Sequence, residues 1–492
     1  IARAGQHIIS VTHVDLRSDR LPSAELVIVV DDAALLHHLR VGMRFESASM
    51  DLGDFQDLGD AGADTRADGQ SVDATGSANP NAPMHADGRA EVSPPSQPLA
   101  RSPPGCDRCS ATPGGGAAAP GIVSADPPKL RTAVEGITEY VLGNGLRVLL
   151  FPDASEAKVT VNITYFVGSK HEGYGETGMA HLLEHMVFKG TPSRPNVWKL
   201  LQDHGAAFNG TTWTDRTNYY ETLTATDENL ELALALEADR MRNSNIAQDV
   251  LSKEFSVVRN ELEMGENSPE SILEERMFQS AYLWHNYGKS TIGAKSDVEG
   301  VKAESLRAFY DKYYQPDNAM LVVAGKFDPT NTLARVQKIY GSIPRPTRTI
   351  EPTYTVEPVQ DGERTVILRR VGDLALVGVL YHTVPGAHAD FAASEAAGDV
   401  LTSQPSGRLY HALVATGLAS RVWSSAYAWA EPSTFQVFAQ VSANGDPLNV
   451  QAKLIEVVEG LGASDVSQTE VARFKNKALN DWELAMTSPQ EI

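Results

Sequence analysis

Apolar residues recur along this chain in two rhythms, and one long stretch carries neither. From about Val134 onward the pattern is that of a folded α+β unit. Leu146 to Phe151 and Val159 to Val167 are strand-like, the second alternating apolar with polar positions. Met179 to Phe188 reads as helix, and Asn196 to His204 as another. Ala206 to Thr224, rich in Thr, Tyr and Phe, reads as extended. Asp227 is placed to cap a long helix reaching Arg242, with Leu230, Leu234 and Met241 in its core stripe. A further helix covers Gln248 to Glu263, and Met320 to Val323 is a closing strand before Gly325.

The second half repeats this layout in weaker form. Thr365 to Val371 and Leu374 to His382 echo the first two strands, and Phe391 to Leu401 stands where the Met179 helix stood. Thr434 to Val441 supplies another strand and Leu448 to Leu461 another helix. A repeated frame implies duplication. The expected fold is therefore α+β, with two homologous sheet-plus-helices domains at residues 131–350 and 351–492. The second is expected to be incomplete, as though the sequence were a piece of something longer. Residues 1–50 carry strand-like alternation (His7 to Val14, Glu25 to Val30) and a short helical pattern, and read as a small β-rich segment. Residues 51–130 are rich in Gly, Ala, Pro, Ser and Asp; such a segment cannot bury enough apolar surface to offset its ordering entropy and reads as a disordered linker.

Composition narrows the partners. Net charge is −21 over 492 residues, which argues against nucleic acid or an anionic membrane. No run of eighteen apolar residues exists, so no transmembrane segment is expected. The chain begins at Ile1, which leaves a removed leader neither shown nor excluded. The two cysteines, Cys106 and Cys109, lie in the linker without two further ligands at zinc-site spacing, and read as an incidental or redox-labile pair.

Chemistry concentrates in His181-Leu-Leu-Glu184-His185. Residues four apart share a helical face, so both imidazoles can reach one metal ion. Glu184 shares that face, beside any water the metal would hold. Two imidazoles and a carboxylate are what a hydrolytic zinc site needs, and H-x-x-E-H is the inverzincin order. The blander reading is a surface helix carrying two histidines, so a third ligand is required. The second repeat, which reads Ala393-Ser-Glu-Ala-Ala-Gly-Asp at the corresponding place, offers no such motif. Residues Glu254 to Glu266 form an acidic helical stretch in which Glu254 and Glu261, seven apart, share a face. By itself such a stretch reads as solvated charge.

At this point the chain resembles the pitrilysin/insulysin family of zinc peptidases, which includes mitochondrial processing peptidases. Gly168-Ser-Lys-His-Glu172 and Gly178-Met-Ala-His-Leu-Leu-Glu-His-Met-Val-Phe-Lys-Gly-Thr191 look like its signature. Gly205-Ala-Ala-Phe-Asn209-Gly-Thr-Thr212 resembles its asparagine-containing edge strand, with Gly210 where the family usually has alanine. Tyr287-Gly288, Ile292-Gly293 and the stretch from Phe309 to Gly325 resemble later blocks. Members carry a third zinc ligand 76 residues after the second histidine and another glutamate seven before that ligand; here these positions are Glu261 and Glu254. The resemblance spans from about Gly143 to the end.

It implies one Zn²⁺ per chain held by His181, His185 and Glu261, with the fourth position left to water. Glu184 would then be general base and later general acid. Glu254 would orient a ligand histidine or the Glu184 region. Phe208 and Asn209 lie in a segment that could receive an extended peptide as an added strand. Function is thus expected to be zinc-dependent endopeptidase action on extended peptides or small unfolded proteins. The resemblance implies an opposing homologous half, in a missing C-terminal region or a partner subunit, and favours the periplasm. Arg408, Tyr410 and His285 read as structural. One alternative is a non-catalytic member serving as scaffold or assembly partner, although such relatives lose motif residues that this chain keeps. A closed structural zinc site is the other, and no fourth Cys or His stands in a matching position.

Overall fold

The computed structural model describes residues 126–372, 374–443 and 445–487, together with two strand fragments, β1 (Val11–Thr12) and β2 (Val30–Asp31). The remainder of the 1–50 segment, the linker up to residue 125, Cys106 and Cys109 lie outside the described residues.

The first lobe is built on a seven-stranded sheet. Its strands are β3 (Lys129–Val134), β4 (Ile137–Val141), β5 (Arg147–Pro152), β6 (Lys158–Tyr165), β7 (Ala207–Thr212), β8 (Thr217–Thr224) and β9 (Ala319–Gly325), in the order β3-β4-β5-β9-β6-β8-β7. Only the β5–β9 pair is parallel. The stretch expected to be extended from Ala206 to Thr224 folds back on itself. It breaks at Trp213–Arg216, where the Trp213 amide donates to the Arg216 carbonyl at 2.8 Å, and β7 is left at the sheet edge. Helices α1 (Met179–Val187), α2 (Val197–Asp203), α3 (Asp227–Asn243) and α4 (Gln248–Gly265) follow the expected positions. The cap of α3 is Thr226, whose side chain accepts from the Asn229 amide; Asp227 sits in the first turn instead. Its carboxylate still favours that end of the helix dipole.

Helices α5 (Pro269–Ala281), α6 (Lys295–Gly300), α7 (Ala303–Tyr313) and α8 (Pro329–Tyr340) complete the lobe. The core lies between the sheet and α1, α3 and α7, with Val148, Val161, Ile163, Leu182, Leu183, Leu234 and Leu321 all buried.

The second lobe has β10 (Leu376–Thr383), β11 (Ala419–Ala426) and β12 (Ser433–Val441), with α9 (Phe391–Thr402), α10 (Pro447–Gly460) and α11 (Gln468–Ala485). Its sheet runs β1-β10-β12-β11, and β2 also pairs with β10. The strand expected at Thr365 to Val371 is absent: that stretch makes no ladder. Val366 and Leu368 turn inward while Ile367 and Val371 stay exposed, so the alternation is real. The edge of β10 that such a strand would join is taken by β1 and β2. Both lobes belong to one compact unit. Leu273, Met277 and Ala281 of α5 pack on Leu376, Leu380 and Phe438, forming a shared apolar core between them.

One charged group is sealed inside the first lobe. Arg240 is 1% exposed; its guanidinium bonds Glu221 at 2.5 Å and also Glu237, and lies over the rings of Phe188 and Tyr219. Burial raises the Glu221 carboxyl to about 7, with the Arg240 charge opposing. Removing the cation leaves two buried glutamates without a partner, so Arg240→Leu is expected to cost about 3–5 kcal/mol. Urea unfolding measures this, and a loss under about 1 kcal/mol would show that the triad is not holding its own charges.

Candidate metal centre

Helix α1 is buried nearly all round, with Met179, Ala180, Leu182, Leu183, Met186 and Val187 in the core. The positions left over, 181, 184 and 185, are its polar ones and fall on one face. The helix starts at Gly178, at φ +88°, where a Cβ would stand 2.6 Å from the Ile292 carbonyl. A glycine has no side chain with which to cap. Glu172 does so from outside: its carboxylate accepts from the Gly178 amide at 2.8 Å and the Ala180 amide at 2.7 Å. Burial raises that carboxyl to about 8 even though both amides lower it.

The face of α1 meets α4, where Leu251, Glu254, Val258 and Glu261 recur at spacings of three and four. His181, His185 and Glu261 each offer a ligand atom, all within 4.8 Å of one another. Glu261 Oε2 stands 3.5 Å from His181 Nε2 and 3.4 Å from His185 Nε2. Ligands about 2.0–2.1 Å from a tetrahedral zinc lie about 3.3–3.4 Å apart, which the two Glu261 edges match. Burial holds His181 down at about 4, keeping it in the neutral form that a metal requires. For His185 burial pulls the same way, but the hydrogen bond and charge of Glu261 outweigh it and the net direction is upward. The same hydrogen bond lowers Glu261.

Glu254 is brought behind His185: its Oε2 lies 3.4 Å from His185 Nδ1, and its Oε1 accepts from Lys189 Nζ at 2.7 Å. Glu184 is buried beside the cluster. Burial raises its carboxyl, and the Thr212 hydroxyl, donating at 2.6 Å, opposes the rise. Thr212 and Lys189 were not singled out from sequence. Lys189 follows His185 by four residues, just past the end of α1, a spacing that could have found it; Thr212 had none beyond its place in the edge-strand block.

Along β7 the side chains alternate. Phe208, Gly210 and Thr212 face α1: Phe208 packs with Phe188 and Trp198, and a Cβ on Gly210 would meet Phe188 at 2.9 Å and Glu184 Oε1 at 3.0 Å. The glycine lets the strand lie this close to the carboxylate. Asn209 is exposed and falls on the opposite face, so its side chain is not brought to the cluster. Arg408 bridges Glu470 at 2.9 Å, and His285 bonds Glu431 at 2.8 Å.

Residues 147–295 match the family model for insulinase, peptidase family M16, and residues 300–478 match the peptidase M16 inactive domain. The zinc protease PqqE of Helicobacter pylori is 29% identical over 358 residues, covering 71% of this chain and 80% of that protein. The crystal structure of a protease from Helicobacter pylori aligns with TM-score 0.67 at 28% identity, over 74% of this chain and 88% of that one. The periplasmic protease PqqL from Escherichia coli aligns with TM-score 0.58 at 20% identity, over 72% of this chain but 41% of its own, a likeness of fold. The chain belongs to the M16 family of insulinase- and pitrilysin-like zinc proteases.

Gly168 is the tightest point of the surrounding frame, since a Cβ there would stand 1.9 Å from the Trp213 carbonyl oxygen. Gly168→Ala must push the turn before α1 away from the β7–β8 turn, at an expected cost of about 1–3 kcal/mol. Thermal melting against wild type checks this; an unchanged melting temperature would mean that the two turns are not in register as described.

Proposed function

We propose that this chain is a zinc-dependent endopeptidase acting on extended peptides or small unfolded proteins, with one Zn²⁺ held by His181, His185 and Glu261. The observation that carries the reading is the tetrahedral-edge spacing of Glu261 from both imidazoles, beside a buried carboxylate that Thr212 holds in place. When bound, zinc supplies a Lewis acid and lowers the pKa of a water that it holds. Glu184 accepts the proton of the attacking water and returns it to the leaving amine. Its burial raises its proton affinity toward that of the groups it serves, and the Thr212 bond fixes which oxygen is free. Glu254 steadies the His185 ring from behind, and Lys189 steadies Glu254.

Substrate would join the sheet at β7, which has β8 on one side and no strand on the other among the described residues. Main-chain pairing there gives affinity for many sequences, and Phe208 lines the approach together with Trp198, itself 49% exposed. Residues 131–350 would form the catalytic domain and residues 351–492 a second domain without the motif. A homologous opposing half, covalent or separate, would close the chamber. The periplasm is proposed from the likeness to PqqL; among the described residues no helix is long and apolar enough to cross a membrane.

Two variants separate the roles. Glu184→Gln is expected to keep one zinc per chain while peptide cleavage falls by about 10²–10⁴-fold. Wild type without zinc, or equal turnover by both proteins, would sink the peptidase reading. Glu254→Gln is expected to weaken zinc affinity by about 10–100-fold in chelator competition, and an unchanged affinity would remove it from the site.

A further inference from the structure

Between the two lobes lies a polar cluster that the metal chemistry does not use. Lys170, 8% exposed, carries its ammonium 2.6 Å from Asp215 Oδ1 and 3.2 Å from Glu431 Oε1. Asp215 belongs to the β7–β8 turn, three residues beyond Thr212; Glu431 belongs to the β11–β12 connection of the second lobe. The same connection reaches Asp215 directly, since the Ala430 amide donates to its Oδ2 at 2.9 Å. Tyr287 joins the two sides. Its hydroxyl donates to Asp215 at 2.9 Å and accepts from the Glu431 amide at 3.1 Å, while His285 Nε2 bonds Glu431 Oε2 at 2.8 Å.

Lys170 and Glu172 sit two residues apart around a single turn of 3₁₀ helix, Ser169–His171. That turn is fixed at its backbone: the Lys170 amide donates to the Thr214 carbonyl, and Asn286 Nδ2 donates to the carbonyls of both Lys170 and Glu172. The turn thus reaches the second lobe through the Lys170 side chain, and its other end holds the first amides of α1. From Glu431 to Gly178 the connection is continuous, and a branch through Asp215 leads to the strand that carries Thr212.

We propose that Glu431 is a positioning residue: through Lys170 and Asp215 it sets the metal helix and the edge strand at the spacing that Glu184 and Thr212 need. The catalytic consequence rests on the peptidase reading above; the mechanical one does not. The pair is well placed for this. A buried cation between two carboxylates has one favoured position, and losing one carboxylate leaves Lys170 to follow Asp215 alone. Misplacement of reacting groups by even about 1 Å costs on the order of 100-fold in rate, so a small shift is enough to matter.

The test compares wild type with Glu431→Ala, and with Arg408→Ala as a control that breaks a salt bridge confined to the second lobe. Hydrogen exchange is read at the Gly178 and Ala180 amides and along β7 and β8, without zinc or substrate. Glu431→Ala is expected to speed exchange at these amides severalfold, while Arg408→Ala leaves them unchanged. In peptide cleavage, kcat of Glu431→Ala is expected to fall on the order of 10- to 100-fold with KM nearly constant. Glu431→Gln, which keeps the acceptor oxygen but not the charge, should recover part of both. If Glu431→Ala does not fold, Glu431→Gln is read in its place, with a smaller rise expected at the same amides. Exchange like that of wild type, or an equal rise in Arg408→Ala, overturns the proposal. Wild type that cleaves nothing refutes the peptidase reading instead, and the exchange result still decides this one.

Discussion

Helix α1 must be sunk in an apolar core on most of its circumference and still present two imidazoles and a carboxylate on the remainder. That demand organises the first lobe. A polar face inside a protein is costly unless its groups find partners, and the surrounding elements bring most of them. Helix α4 arrives with Glu254 and Glu261, β7 with the Thr212 hydroxyl, and the turn before the helix with Glu172 at its amides. Glycine occurs where these elements crowd the helix, at 168, 178 and 210, because a side chain there would strike backbone or the carboxylate itself.

The electrostatics follow from the same burial. Desolvation raises Glu184 and holds His181 neutral, while partly exposed Glu261 is lowered by His185. A carboxylate suited to taking a proton and one suited to binding a cation need opposite tendencies. Here depth supplies the difference: Glu184 is buried under β7, whereas the Glu261 side chain remains 41% exposed at the rim.

Much of this was legible in the chain itself, for reasons that differ by residue. The four-residue spacing of His181 and His185 dictates a shared face on any helix, so two imidazoles able to reach one ion follow from periodicity alone. Glu261 does not, because a glutamate in an acidic helix looks the same whether it faces water or metal; only the resemblance to a family located it. Thr212 and Lys189 depend on which elements meet in space. The missed helix α5 has Leu273, Met277 and Ala281 at four-residue spacing, but they are buried because β10 of the other lobe covers them. At Thr365 to Val371 the failure runs the other way, since alternation shows that a stretch is half buried and not that a partner strand is free.

The second lobe repeats such a frame without the H-x-x-E-H motif. Helix α9, which the sequence pattern sets opposite α1 in the repeat, buries Ala393, Ala396 and Ala397 and carries no histidine. Small residues let α9 lie close on β11. The lobe contributes an apolar surface to α5 and two residues, Ala430 and Glu431, to the turns that frame α1. Duplication without ligands is therefore compatible with a working role. A lobe that holds no chemistry can still fix the distances on which chemistry in its neighbour depends.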